Sequence, residues 1–220
     1  MWKRLLIIFL AVLICMPAAF GRRKSKKSGD IEKNVYTDNT YEFTMTLQEN
    51  WKVDLQKPND LRRMELVQKD YEIPPELMQF PHMAQTPTLE IYVSEEGDKM
   101  TPTVFVDSLT SLTFTSKVKK EIMKNIISLE EKVTFDGFTQ TQKNILEIDE
   151  KQAMQWVGSA KYTKDLGMGE TIPRSYGVAF ITIKNGPYIV TFALKCEEMF
   201  LADVFKEMKQ MAESVKWPEG

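Results

Sequence analysis

Residues able to carry chemistry are few in this chain. His82 is the only histidine among 220 residues, and it stands between Pro81 and Met83. A lone imidazole would leave carboxylates to supply every other ligand of a metal, which is a poor set for zinc or a transition metal. It also leaves no second histidine to activate a serine, and the G-x-S-x-G elbow does not occur. What remains for His82 is a pH-sensitive contact or an ordinary place in a loop. Of the two cysteines, Cys15 falls in the apolar N-terminal run and Cys196 stands alone in the rest. That excludes an internal disulfide and a cysteine metal site. Cys196 closes an apolar run just before a helical pattern. A thiol at a helix start can be activated, but a small buried residue at a strand end is the simpler reading.

The acidic pairs Glu95–Glu96, Glu130–Glu131 and Asp149–Glu150 lie at turns or helix edges, where adjacent carboxylates are solvated surface. A glycosidase would need two carboxylates about 5 to 10 Å apart across a groove. GMGET, 167 to 171, has two glycines but neither the phosphate-loop lysine nor its strand-to-helix setting, so it reads as a hairpin loop. No D-x-D-x-D-G calcium loop is present. No catalytic residue, metal site or cofactor is expected.

The segment YEIPPELMQFPHMAQTP, 71 to 87, invites a binding reading. Pro74, Pro75, Pro81 and Pro87 forbid regular strand pairing through most of it. Yet it carries Tyr71, Leu77, Met78, Phe80 and Met83. A connection this apolar must pack on the domain or fringe a cleft. Tyr71, Phe80, His82 and Met83 are therefore the candidate binding residues. The 13 methionines are adaptable in cores and at interfaces alike.

The elements that must position this segment follow from periodicity. In YEFTMTLQENWKVDL, 41 to 55, Tyr41, Phe43, Met45 and Leu47 alternate with polar residues, and Trp51 follows a turn. Those four should face a core, with Trp51 plugging the end of the sheet–helix interface. Strands are expected at 64 to 70, 88 to 95 and 153 to 163, with a polar lead-in, SGDIEKNVYTDN at 28 to 39, before the opening strand. Thr101 and Pro102 open a helix with the stripe Phe105, Leu109 and Leu112. Ser116 caps a second, with Val118, Ile122 and Ile126 four apart. Asp136-Gly137, between Phe135 and Phe138, is a strong hairpin signal, as is Asn185-Gly186. Residues 165 to 174 read as a flexible loop. Phe200, Val204, Met208, Met211 and Val215 mark a closing helix, with Glu197 and Glu198 at its start. Hairpin-joined strands with helices in two blocks give an α+β fold, a central antiparallel β-sheet flanked by helices.

Three stretches carry a family resemblance: NTYEFTMTLQENWKV, the helix block near 102 to 127, and IVTFALKCEEMFLADVFKEMKQMAESVKW. Together they resemble the PsbP-like superfamily, over about residues 35 to 218. The first stretch has Leu47 and Glu49-Asn50 where the family's opening often has proline and glycine. The resemblance implies a PsbP-like α/β sandwich and a binding or accessory role. No functional residue is carried over from it.

Residues 1 to 21 fit a secretory signal: Lys3 and Arg4, then an apolar run from Leu5 to Ile14, Pro17, and small residues Ala19 and Gly21. Cleavage after Gly21 is the expectation. Cys15 leaves a lipoprotein reading open, and the basic run after the apolar segment leaves an uncleaved anchor open. Residues 22 to 34 are expected as a basic disordered tail. Within it Arg22, Arg23, Lys24, Lys26 and Lys27 could touch anionic lipid headgroups. The formal charge is −2, and losing Lys3 and Arg4 takes it to −4, which argues against a nucleic-acid partner. The function expected is an exported envelope protein, periplasmic or secreted. It would bind a protein partner or an apolar ligand near 71 to 87 without catalysis. The alternative is a hydrolase of envelope carbohydrate that uses carboxylates alone.

Overall fold

The computed structural model describes residues 27–78, 84–113, 116–127 and 133–218. Seven strands form one fully antiparallel sheet in the order β4-β5-β6-β10-β9-β8-β7. These are β4 (Trp51–Leu55), β5 (Arg62–Gln68), β6 (Thr88–Ser94), β7 (Val133–Ile148), β8 (Lys151–Gly167), β9 (Glu170–Asn185) and β10 (Tyr188–Glu197). Helices α1 (Pro102–Thr110) and α2 (Lys117–Ile126) cover one face. Helix α3 (Leu201–Glu213) covers the other, beside a three-stranded sheet of β1 (Gly29–Glu32), β2 (Val35–Asp38) and β3 (Thr44–Thr46). The expected α+β architecture is therefore present. Among the described residues no helix is long and apolar enough to cross a membrane.

Alternation along the strands divides two cores. Ile91, Ile181, Phe192 and Leu194 face α3, where they meet Val204, Met208 and Met211. Tyr92, Trp156, Phe180 and Ala193 face α1 and α2, where Phe105, Leu109, Val118 and Ile122 close over them. The opening stretch keeps its expected face: Phe43, Met45 and Leu47 are buried and Tyr41 half-buried. Trp51 is buried, and its indole N–H donates to Glu207 of α3 at 2.8 Å, so it pins sheet to helix. Thr101 and Ser116 cap their helices as expected, accepting from Val104 and Lys119.

Several expectations are corrected. The polar lead-in is not a tail from residue 28 onward. Gly29–Glu32 pairs with Val35–Asp38 across a Lys33–Asn34 turn, with both φ positive. Ser28 is fully buried. The organiser is Arg63, itself fully buried. It donates to Asp38 (Nε to Oδ2, 2.8 Å), to the carbonyl of Ser28 and to Thr40. Asp136-Gly137 makes no hairpin. β7 runs through it, with a register shift between Phe135 and Gly137. That bulge brings Phe135 and Phe138, three apart, to one face, with ring centroids 5.0 Å apart. From there they pack on Tyr162 and Trp156. Residues 165 to 174 are mostly strand, and only Met168 and Gly169 form the turn. Pro173 is tolerated because β10 stops opposite Tyr176, leaving that side of β9 unpaired by β10. Leu112 leaves its stripe. α1 ends at Thr110, and Leu112 has φ 57 and is exposed.

Candidate functional site

The long connection from β5 to β6 and the ends of β9 and β10 meet at one end of the large sheet. On the α2 face there, alternation fails to put apolar side chains inward. Instead it places Glu65 beside Glu90, and Lys195 beside Thr88, on the same face. α2 adds Asn125 from its last turn. Arg62, Glu65, Gln85, Thr88, Glu90 and Asn125 line a cleft of about 250 Å³, with Ile126, Ala193 and Lys195 completing it.

Glu90 organises the cleft. It is buried, and a buried carboxylate must be paired and hydrogen-bonded to be tolerated. Four contacts do this. Arg62 Nη1 donates to Oε1. Asn125 Nδ2 donates to both oxygens at 2.9 and 3.0 Å, and Tyr92 donates its hydroxyl at 2.8 Å. Burial, with the Glu90 charge beside it, pushes the Tyr92 phenol up, so it stays a donor. Arg62 Nη1 also donates to Glu65 at 2.7 Å. The ammonium of Lys195, itself mostly buried, lies over the rings of Tyr176 and Tyr162, at 5.1 and 5.9 Å.

Arg62 also borders a second polar hollow of about 280 Å³, lined by Gln56, Asn59, Asp60, Leu61, Lys117 and Glu121. Lys117, Glu121 and Asn125 are four apart, so one face of α2 lines both spaces. The apolar stripe Val118, Ile122 and Ile126 is legible in the sequence. The polar stripe one residue before it carries no signal until β5 is known to lie alongside.

Beside the cleft, Glu197 accepts from the backbone N–H of Gln85 and from Arg174 Nη2, the latter at 3.1 Å to Oε2. This fixes the end of the 71–87 connection to the end of β10. Its beginning is fixed by Tyr71, whose ring meets Phe200 edge-on at 6.0 Å. The Tyr71 hydroxyl is buried and has no hydrogen-bond partner among the described residues. Burial, with Glu197 nearby, pushes its pKa up to about 12. Between these anchors Leu77 is buried, while Met78 is 65% exposed. Met199, two residues beyond Glu197, is 62% exposed. Of the four candidate binding residues, Tyr71 is at this end of the sheet. Phe80, His82 and Met83 lie outside the described residues.

The other candidates resolve into structure. Cys196 faces the α3 core, fully buried, and burial pushes its thiol up to about 12. Glu96 accepts from Ser116 Oγ at the start of α2. Asp149 and Glu150 form the β7–β8 turn, both with positive φ. Asp149 accepts from Lys216 and from the Trp217 backbone N–H. Glu130 and Glu131 lie outside the described residues. GMGET is the tip of the β8–β9 hairpin. Among the described residues no three His, Cys, Asp or Glu side chains come together as a metal site.

No family model matches the sequence, and no curated protein matches it significantly. Solved structures with a similar chain course include LpqN, involved in cell envelope biogenesis of Mycobacterium tuberculosis. It has 12% identity and a TM-score of 0.48, over 80% of this chain and 82% of that one. A PsbP from the cyanobacterium Synechocystis has 12% identity and a TM-score of 0.45, over 84% and 91%. The Saccharomyces cerevisiae Ran-binding protein Mog1p has 11% identity and a TM-score of 0.39, over 79% and 89%. At such scores the likeness says nothing of activity or partner.

Proposed function

We propose that this is an exported binding or accessory protein of the cell envelope, whose site is the end of the sheet bounded by the 71–87 connection. One observation carries the reading. At that end a preformed network (Arg62, Glu65, Glu90, Asn125) lines a cleft, and the two segments anchored there, the 71–87 connection and the turn after β10, carry solvent-exposed Met78 and Met199. A charged recess together with exposed, adaptable thioethers is the make-up of an interface, with polar groups giving specificity and methionine giving adaptable contact. Between the two expected occupants, a protein partner fits better than an apolar ligand. A cleft for a drug-sized apolar molecule is mostly hydrophobic and about 300 to 1,000 Å³, whereas this one is about 250 Å³ and charged. Export rests on the signal-like residues 1 to 21.

The carboxylate hydrolase keeps one observation in its favour. Glu65 and Glu90 are directly opposed on adjacent strands in the same cleft. A glycosidic oxygen would have to sit between them, and Arg62 Nη1 already bridges them there. Glu90 is also saturated with donors. This geometry supports recognition over acid–base chemistry.

The test is a paired replacement of the exposed thioethers, Met78→Asp with Met199→Asp. Both side chains are mostly solvated, so melting should hold within about 0.5 kcal/mol. Capture of the envelope partner should fall at least tenfold. Undiminished capture would remove this end of the sheet as the site.

A further inference from the structure

β7 is an outer strand of the large sheet, and its outer edge, unpaired among the described residues, is patterned to pair with itself. A register shift between Gln140 and Gln142 interrupts it on one side, and the Asp149–Glu150 turn ends it on the other. Between them Gln142–Ile148 is a regular run of seven residues whose midpoint is Ile145. A two-residue turn closes on a hydrogen-bonded pair, here Ile148 with Lys151. Counting back by twos, Ile148, Leu146, Asn144 and Gln142 bond to β8. Lys143, Ile145 and Glu147 therefore turn their backbone N–H and C=O groups to the open edge.

We propose that a second copy of this chain pairs antiparallel along this edge about a two-fold axis at Ile145. The register is set by symmetry: residue 145 meets 145, and residue 143 meets 147. All three outward-facing residues then exchange hydrogen bonds with the partner strand. Their side chains lie on the α1 side, as the Lys143–Asp107 ion pair between β7 and α1 shows. The cross-strand neighbours become Lys143 with Glu147, Ile145 with Ile145, and Glu147 with Lys143, each about 5 Å apart at Cβ. Charge is complementary on both sides of the axis. The central contact covers Ile145, which is 70% exposed. Edge strands commonly defend themselves with a lysine and bulges. Here the lysine meets a glutamate under two-fold symmetry, and the bulge limits the pairing to seven residues instead of preventing it. Such isologous pairing is the commonest form of association between identical chains. It leaves the cleft untouched and does not depend on the function proposed for it.

Sedimentation velocity of the full chain from about 1 to 200 μM, the range suited to a small interface, should show a concentration-dependent dimer. Lys143→Glu sets Glu against Glu, and Glu147→Lys sets Lys against Lys. Each variant alone should self-associate at least tenfold more weakly, Glu147→Lys with an unchanged melting curve and Lys143→Glu with a melting point lowered by no more than the loss of its surface pair with Asp107. Mixed in equal amounts they place opposite charges in both pairs, and the dimer should return as a heterodimer. A monomeric wild-type chain throughout the range overturns the proposal. So does a dimer indifferent to both replacements, or a mixture that stays monomeric.

Discussion

Lys119 and Cys196 show how side-chain chemistry is set by what surrounds it. Lys119 is buried on α2. Its ammonium contacts the thioether of Met100 at 3.1 Å and lies over the Phe105 ring at 4.8 Å, and Glu96 is 3.9 Å away. Burial holds its pKa below the ordinary lysine value, the Glu96 charge opposing. The charged form is thus less favourable folded than unfolded. Stability should rise as pH climbs from the lowered folded value toward 10.5, where the unfolded chain still binds the proton. Lys119→Met removes the titrating group and should abolish that alkaline rise, seen as a melting point that no longer climbs with pH over that range. Cys196 should resist alkylation at pH 8 in the native protein and react at once in denaturant. Rapid native labelling would contradict its place in the core. That a lone cysteine at a strand end would be inert was legible from its apolar neighbours. The buried state of Lys119 was not, because nothing in a helical repeat says which lysine lies under Phe105.

At the scale of elements, the Arg63 cage joins the small sheet to the large one. Removing a single partner of a buried ion pair leaves the other charge unpaired, so Arg63→Met should cost about 3 to 5 kcal/mol. Adding Asp38→Asn should recover part of that. A chain beginning at residue 35 would lack the Ser28 carbonyl that Arg63 holds and should melt well below the full chain. Equal melting would show β1 to be dispensable. These strands were hard to read because β1 and β2 are four residues each, too short for alternation to register. Their anchor is an arginine whose burial depends on residues 25 and 35 positions away. The Asp-Gly signal at 136 misled for a related reason. A residue type that favours positive φ serves a bulge as well as a turn. The choice fell to Phe135 and Phe138, which gain Tyr162 and Trp156 by continuing the strand. Strands with strict alternation and helices with four-residue stripes were legible throughout.

On the scale of the whole molecule, one end of the large sheet gathers the groups that no core requires. The Glu90 network, the Glu197 contacts and Tyr71 lie there, with exposed Met199 two residues beyond Glu197. The sequence pointed to the 71–87 connection through its prolines and apolar residues. It could not reveal the cleft beside it, since Arg62, Glu90, Asn125 and Lys195 come from four separate elements that only the strand order brings together. The central claim is that this end receives a protein partner. Site-specific photo-crosslinking in the intact envelope tests it most directly, with the photoreactive residue placed at Met199, at Met78, and at exposed Ile31 of β1 as control. One discrete adduct of the same mass is expected from Met199 and Met78 and none from Ile31. The adduct should also be lost when Glu90→Gln disturbs the cleft in a still-folded protein. Adducts from Ile31 alone, or indifferent adducts from all three positions, would contradict it.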